Sequence, residues 1–442
     1  MLGPRQLTLP QHLSQKALRP IPGLGTPPSK RFQMFRHFAG LGAAGSWMIA
    51  GRGVGFLWTL LLIGTLGLGD FGVYATACAF AAIISAPLEN VFVVRSVRVE
   101  LHEYERERST RFLLGVLLVV AGIILFPIIL TLAFALVFAG GEMVFNAYKS
   151  LPLRNGLPTV VMRLDALRQF SSIGAAAIYL LLAGSTATLP VALAVYLAPY
   201  AVVLVLSAVR CWGTMPAAPG GLRENVLLLG DAFIISLYLQ GDIVLLGILT
   251  SDEAVGAYSV ASQIALALSV LGQLYAQGFT VRLREQHGDP AAGPRPRLLV
   301  GLAAFFTLGT FAVGVLLLLI GYQTGIGLVL LVMSVFAGLR TIDNAWTTVL
   351  YIQRRDAPRI AHAGVALAIK FGAILLLVLL LGGPGSLAAA VAAVAAEVYL
   401  CVMYTRLVHR PQVARGAVAS REIAATRENV ATREQTGQRE HR

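Results

Sequence analysis

The chain has 442 residues, of which 57% are hydrophobic and only 13% are charged. A soluble domain carries about 25% charged residues, so this composition excludes an ordinary soluble fold. The apolar residues run solidly, as from Leu113 to Leu125, without the alternation of a membrane β-barrel. We therefore expect a polytopic α-helical membrane protein, because only helices satisfy their own backbone hydrogen bonds in lipid.

Apolar stretches of about 20 residues, enough to cross roughly 30 Å of hydrocarbon, recur along the chain. They predict an all-α fold with about twelve transmembrane helices. An N-terminal six-helix bundle covers 38–209, a linker 210–223 and a C-terminal six-helix bundle 224–408. The third and fourth helices share one apolar run, broken only around Pro127. The predicted helices span 38–63, 71–94, 112–129, 131–149, 159–183, 188–209, 224–249, 254–281, 298–320, 325–351, 360–381 and 385–408.

The distribution of positive charge predicts the orientation. Of the 35 Lys and Arg residues, 30 lie in a flexible basic arm at 1–37, in every second loop, or from Arg406 into a polar tail at 409–442. The opposite loops contain none. Because Lys and Arg accumulate on the cytoplasmic side, both ends are expected in the cytoplasm. The net charge of +13 is then a topology signal and not the sign of a nucleic-acid partner.

The chain also resembles itself. Residues 70–98 align with 254–282 without a gap, at a shift of 184 and with seven identities. The most specific feature is a shared Gly-x-Tyr at a helix start. It pairs Gly72 with Gly256 and Tyr74 with Tyr258.

A second match has a shift of 198 and pairs Phe138-Ala139-Gly140 with Phe336-Ala337-Gly338. The change in shift implies about 14 extra residues between the two matched blocks of the second half. Six helices per copy make the two halves enter the membrane from the same side. We expect a parallel pseudo-two-fold repeat, with the substrate site between the halves near the midplane.

Charged side chains inside the predicted helices mark that site, because each costs about 2.5–3.5 kcal/mol at mid-bilayer. The second repeat makes Glu142 and Arg340 equivalent, which predicts that they pair across the halves in some transport state or form a purely structural ion pair. Arg52 and Lys370 have no acidic neighbour in sequence and are expected to face a ligand in one cavity. The candidate substrate-binding residues are Arg52, Glu142, Asn146, Arg340, Asn344 and Lys370.

Two further acids, Asp231 and Asp242, lie in the seventh helix. They are candidates for proton or cation coupling, with helix packing as the alternative. Arg163, Asp165 and Arg168 near one end of the fifth helix are explained by snorkelling to the headgroups. The sequence suggests no catalytic residue, no metal site and no cofactor.

One motif resembles a known family. The run from Leu66 to Ala75, with its echo from Ala254 to Ser259, is similar to the helix 1–2 junction of bacterial polysaccharide flippases. These form the O-antigen-flippase-like branch of the multidrug/oligosaccharidyl-lipid/polysaccharide exporter superfamily. The resemblance implies a V-shaped two-bundle transporter of the bacterial inner membrane. Cavity cations would bind the diphosphate of its substrate, which suits Arg52.

That family moves a lipid-diphosphate-linked oligosaccharide from the inner to the outer leaflet for cell-surface polysaccharide biosynthesis. The resemblance therefore implies a lipid-linked oligosaccharide and membrane lipids as partners, with a polysaccharide polymerase or glycosyltransferases as further candidates. The chain lacks the two additional helices common in lipid II flippases. The alternatives are a cation-coupled multidrug exporter of the same superfamily and an integral-membrane glycosyltransferase or polymerase.

Overall fold

The computed structural model describes residues 30–410 apart from six single positions, and the ends 1–29 and 411–442 lie outside it. Within this range the secondary structure is helical, with no strand. The six positions left out are Val97, Gly156, Trp212, His287, Tyr322 and Leu381.

Twelve helical spans follow one another along the described chain. They are α1 Lys30–Leu66, α2 Leu68–Ser96, α3 Leu101–Leu125, α4 Leu130–Arg154, α5 Pro158–Ala183, α6 Leu189–Cys211, α7 Leu222–Leu249, α8 Asp252–Gln277, α9 Pro296–Ile320, α10 Thr324–Ile352, α11 Asp356–Leu380 and α12 Gly385–His409.

The predicted all-α membrane fold is confirmed. Eleven of the described spans are long and apolar enough to cross a membrane, and the apolar part of α1, Ala50–Leu66, is shorter. The third and fourth helices are separate, joined by a turn around Pro127. They pack closely because Gly115 and Gly140 let their backbones approach.

Several helix boundaries differ from the predicted ones. Helix α1 already begins at Lys30, and α3 begins at Leu101 instead of residue 112. A search for apolar stretches misses polar helical turns of this kind. In the structure the first turns of α3 are held by the ion pairs of Glu103 and Glu107 with Arg95. Helix α6 breaks at Ala198, before Pro199, because proline has no backbone N–H to donate. Helix α11 ends in a π-helical turn, Leu376–Leu380.

The helix packing repeats between the two halves. Helix α3 packs on α4 as α9 packs on α10, and α1 packs on α5 as α7 packs on α11. Helices α4 and α6 likewise correspond to α10 and α12. This is the arrangement that the internal sequence repeat predicts.

The halves meet where the Gly-x-Tyr motifs lie. A Cβ atom at Gly72 would collide with the carbonyl oxygen of Asp252, and one at Gly256 with that of Leu68. Both obstacles are backbone atoms, so only glycine permits this approach. The two motif glycines therefore bring the first turns of α2 and α8 together.

The seam between α2 and α7 continues along both helices. A Cβ at Gly247 would lie 3.0 Å from the Thr76 hydroxyl, the Asn90 amide donates to the Leu228 carbonyl at 2.9 Å, and Arg95 binds Glu224 at 2.9 Å. Helices α1 and α8 touch far less. A long hydrogen bond of 3.4 Å joins Thr59 to Gln263 across them.

Candidate functional site

Arg52 lies on the side of α1 that faces the other half. Thr59, seven residues later and thus nearly two turns along the helix, bonds to Gln263 of α8. Arg52 shares that face, one step of about 10 Å closer to the Lys30 end of α1. Its side chain is exposed and forms no ion pair or hydrogen bond with any residue that the structure describes. Arg52 is therefore an exposed cation, unpaired among the described residues, on the face of α1 that contacts α8 at Thr59.

The glycines around Arg52 fix the position of α1. Cβ atoms at Gly51 and Gly55 would lie 2.9 Å and 2.8 Å from the side-chain amide of Gln169 on α5. The amide thus fits between two glycines one turn apart. Gly53, in contrast, has no atom within 4 Å of a Cβ. Arg52 lies beside this contact, about 100° around the helix from Gly51 and about 60° from Gly55.

Glu142 on α4 is neutralised inside the N-terminal half. Arg168 on α5 lies 3.0 Å from its carboxylate, and the Tyr200 hydroxyl on α6 donates to it. Arg168 also donates to the Tyr200 oxygen at 2.6 Å. The predicted pairing with Arg340 is not formed in this conformation. Arg168, interpreted from sequence as snorkelling, is instead the partner of Glu142.

The C-terminal half contains a larger buried ionic network, which starts at Lys370 on α11. Its ammonium lies 2.5 Å from the Asp242 carboxylate and donates to the Tyr238 carbonyl at 2.8 Å. Tyr258, the motif tyrosine of α8, donates its hydroxyl to Asp242. Lys370 is only 2% exposed, so it does not stand beside Arg52 as an open cation.

The network continues through Tyr238, whose hydroxyl donates to Glu397 on α12 at 2.5 Å. Arg340 on α10 lies 3.5 Å from Glu397 and 2.7 Å from Asp343. The Tyr238 ring lies beneath both cations, 5.4 Å from the Arg340 guanidinium carbon and 5.0 Å from the Lys370 nitrogen. Three carboxylates thus surround two cations, and Asp343 Oδ1 is buried without a described hydrogen-bond partner.

The other predicted site residues take local partners. Asp231 binds Arg359 at 3.2 Å. The Asn344 amide donates to the Ser269 carbonyl at 3.1 Å, which holds α10 on α8. Asn146 is half-buried and has no side-chain hydrogen bond to the described part of the chain. The structure therefore brings Arg340, Lys370 and Asp242 into one network, separate from Arg52.

Sequence reasoning missed the tyrosines that complete these networks, and also Gln169. Tyr238 offered a signal, because it precedes Asp242 by one helical turn and so lies on the same face. Tyr200 and Gln169 offered none that we can identify, since their partners Glu142 and Gly51 lie on other helices. Cross-helix contacts of this kind depend on packing rather than on spacing.

The paired cations and the unpaired Arg52 are suited to different roles. Arg168, Arg340 and Lys370 each have a carboxylate within 3.5 Å. Arg52 is open, and a guanidinium can hold a phosphate through two parallel hydrogen bonds. Arg52 is therefore suited to interact with an anionic group, whereas the C-terminal network is a fixed, nearly balanced set of charges.

Solved transporter structures share this fold. The lipid II flippase MurJ in its inward closed conformation matches with a TM-score of 0.63 and 10% identity, over 83% of this chain and 87% of that one. An inward-facing multidrug resistance MATE transporter of the MOP superfamily matches with 0.52 and 12%, over 83% and 93%. A MATE protein in complex with MaL6 matches with 0.50 and 13%, over 84% and 96%.

These identities establish the fold and not the substrate. No protein-family model matches the chain, and no curated protein sequence matches it either. The chain is a multi-pass membrane protein with the fold of MOP superfamily transporters.

Proposed function

We propose that this chain is a flippase that moves a lipid-diphosphate-linked oligosaccharide from the inner to the outer leaflet by alternating access. The observation that carries the proposal is Arg52, an exposed cation on the α1 face that contacts the other half, unpaired among the described residues. In this proposal the protein lies in the cytoplasmic membrane of a bacterium, with both termini in the cytoplasm.

The energetics of Arg52 favour an anionic substrate. Arg52 lies near one end of the apolar part of α1, Ala50–Leu66. A charge inside the membrane costs up to about 2.5–3.5 kcal/mol at mid-bilayer, which a partner or cavity water must offset. Described carboxylates pair with Arg168, Arg340 and Lys370, whereas Arg52 has none among the described residues. A diphosphate group would complete the interaction, because a planar guanidinium matches two phosphate oxygens at once.

The fold agrees with this substrate class. The matched MurJ is a lipid II flippase, so the same architecture serves the movement of a lipid in at least that protein. The weak α1–α8 contact would let a headgroup reach Arg52 while its lipid tail stays in the membrane. For this chain the diphosphate is inferred from Arg52 alone.

A cation-coupled multidrug exporter is the second candidate. The observation in its favour is the surplus carboxylate of the C-terminal network, where Asp242, Asp343 and Glu397 surround two cations. An exporter of cationic drugs would use such an acid. Against this, the predicted coupling acids Asp231 and Asp242 both have a cation of their own.

The test is transport in proteoliposomes that hold a fluorescent polyprenyl-diphosphate disaccharide. Arg52→Ala should slow its appearance in the opposite leaflet by at least about tenfold, because a hydrogen-bonded charge contributes about 1.5–3 kcal/mol. Arg52→Lys should recover part of the rate, since lysine keeps the charge but loses the planar fork.

The matched control is Arg163→Ala. Arg163 is also exposed and unpaired among the described residues, but it shares its helix face with the exposed Leu167 and Ile178. This variant should transport normally. Normal flipping by Arg52→Ala would refute the diphosphate proposal. Proton-dependent uptake of a cationic dye that is lost in Asp343→Asn would favour the exporter.

A further inference from the structure

The extra residues of the second half lie in one connection. Residues 97–100 join α2 to α3, whereas 278–295 join α8 to α9. The second connection has 18 residues against four, which accounts for the 14 residues implied by the change of shift between the repeats. This insertion lies at the arginine-rich ends of the helices and has no counterpart in the first half.

The insertion is folded onto the C-terminal half. It contains a short helix, Thr280–Glu285, with Leu283 fully buried, and a 3₁₀ turn, Pro290–Ala292. Gln353, after the end of α10, donates its amide to the Gly288 carbonyl at 2.9 Å and to the Val408 carbonyl at 3.2 Å. These bonds fix the insertion against α10 and α12.

A cleft of about 660 Å³ opens between the insertion and the ends of these helices. Its lining includes Arg295, His409 and Arg410, and Asp289 is the only acid among the described lining residues. Asp289 Oδ1 already accepts from the backbone N–H of Ala291 at 2.9 Å, which caps the 3₁₀ turn. The cleft is therefore basic.

Its positive charge is not balanced by the residues that the structure describes. Arg295 and Arg410 form no ion pair with any of them. Arg355, next to the cleft but not part of its lining, donates to the Arg410 carbonyl at 2.9 Å. Burial lowers the pKa of Arg355, and the neighbouring Arg410 lowers it further. Such mutual repulsion is relieved when an anion binds.

A buried arginine before the shorter α2–α3 connection of the first half has a different environment. There Arg95 binds three glutamates, with Glu103 at 2.7 Å, Glu107 at 2.6 Å and Glu224 at 2.9 Å. Two of these acids belong to the first half, and Glu224 belongs to α7 of the second half. By contrast, no described acid pairs with Arg295 or Arg410, so both guanidinium groups are available to an added anion.

We propose that this cleft binds a phosphate group, carried either by the headgroup of an anionic phospholipid or by a soluble phosphate. The cleft lies where α9 begins and α12 ends, the depth at which headgroups lie. Leu298 and Val300, just inside α9, are exposed and would contact the acyl chains. The site is separate from Arg52 and does not depend on the transport proposal.

The experiment measures binding to the purified full-length protein in neutral detergent, by native mass spectrometry. The probes are phosphatidylglycerol, phosphatidylcholine and inorganic phosphate. We expect phosphatidylglycerol to bind more tightly than phosphatidylcholine. The double variant Arg295→Ser, Arg410→Ser should weaken it by at least about tenfold, since each basic residue near a headgroup contributes about 1 kcal/mol.

The matched control is Arg163→Ser with Arg223→Ser, which removes the same charge from exposed arginines outside the cleft. It should leave the affinity within about twofold, so general electrostatic attraction is separated from the cleft. Binding of inorganic phosphate alone, lost in the double variant, would identify a soluble phosphate as the source. Binding of phosphatidylglycerol alone would identify the lipid. Equal losses in both double variants, or no anion binding at all, would overturn the proposal.

Discussion

The two halves place different chemistry at equivalent positions. At the shift of 184, Trp58 and Tyr74 of the first half correspond to Asp242 and Tyr258 of the second. In the first half the two rings meet edge to face, with centroids 6.2 Å apart, inside an aromatic core. In the second half the same tyrosine donates its hydroxyl to a buried carboxylate. The motif tyrosine is thus buried in both halves, but its partner is an aromatic ring in the first half and a carboxylate in the second.

The same holds on the other matched helices. Ser172 of α5 corresponds to Lys370 of α11 at the shift of 198, and Glu142 corresponds to Arg340. Because the C-terminal half places five charged side chains in one buried network, every one of them depends on the others. The N-terminal half contains the smaller Glu142–Arg168 pair and leaves Arg52 open. In the proposed function, Arg52 of the N-terminal half binds the ligand, and the C-terminal half contributes the buried charge network.

The largest expected effect tests that network. Lys370→Met strands the buried Asp242 and should destabilise the protein by about 3–5 kcal/mol. Adding Asp242→Asn should restore part of the loss. The equivalent change in the first half, Ser172→Ala, should cost far less. Thermal unfolding followed by a thiol-reactive dye on the three free cysteines measures all of them. Equal losses of stability in Lys370→Met and Ser172→Ala would contradict the proposed difference between the halves.

A smaller effect compares the two tyrosine–glutamate bonds. Tyr238→Phe should cost about 1.5–3 kcal/mol, the range for a hydrogen bond to a charged group. Tyr200→Phe should cost less, because Glu142 is 22% exposed and keeps Arg168 at 3.0 Å. Glu397 is fully buried and keeps Arg340 only at 3.5 Å. The same unfolding assay ranks the two variants, and the reverse order would contradict the proposed difference in burial.

The smallest effect concerns the feature that the halves share. Gly72→Ala and Gly256→Ala should each cost about 1–3 kcal/mol, because the new methyl group meets backbone atoms of the other half. Gly64→Ala is the control, since no atom lies within 4 Å of its Cβ. That control should be neutral or slightly stabilising in a helix. Tolerance of alanine at both motif glycines would show that the close approach is not required.

Much of the fold could be predicted from the sequence because its signals are local or repeated. The length of the apolar stretches predicted the helices. The repeated Gly-x-Tyr motif lies where the two halves are in contact. The polar first turns of α3 were missed, since their stabilising partner Arg95 lies on another helix.

The site was less predictable. Arg52 was singled out by a charge in an apolar helix, and the structure leaves it open. Lys370 carries the same signal, yet its partner Asp242 lies 128 residues away and meets it only through the packing of α7 on α11. The extra 14 residues were visible as a change of shift, but a shift does not show that they fold into a basic cleft.

The contact between α2 and α7 is stronger than the contact between α1 and α8. The two halves should therefore separate more easily at α1 and α8. Parting α2 from α7 would break the Asn90 bond, the Arg95–Glu224 ion pair and the close contact of Gly247 with Thr76 together. Parting α1 from α8 breaks few contacts, among them the long Thr59–Gln263 bond. We therefore expect thermal motion to separate the two halves at α1 and α8, about a hinge formed by α2 and α7. Such a hinge admits bulky molecules from the lipid side while its closed edge remains sealed.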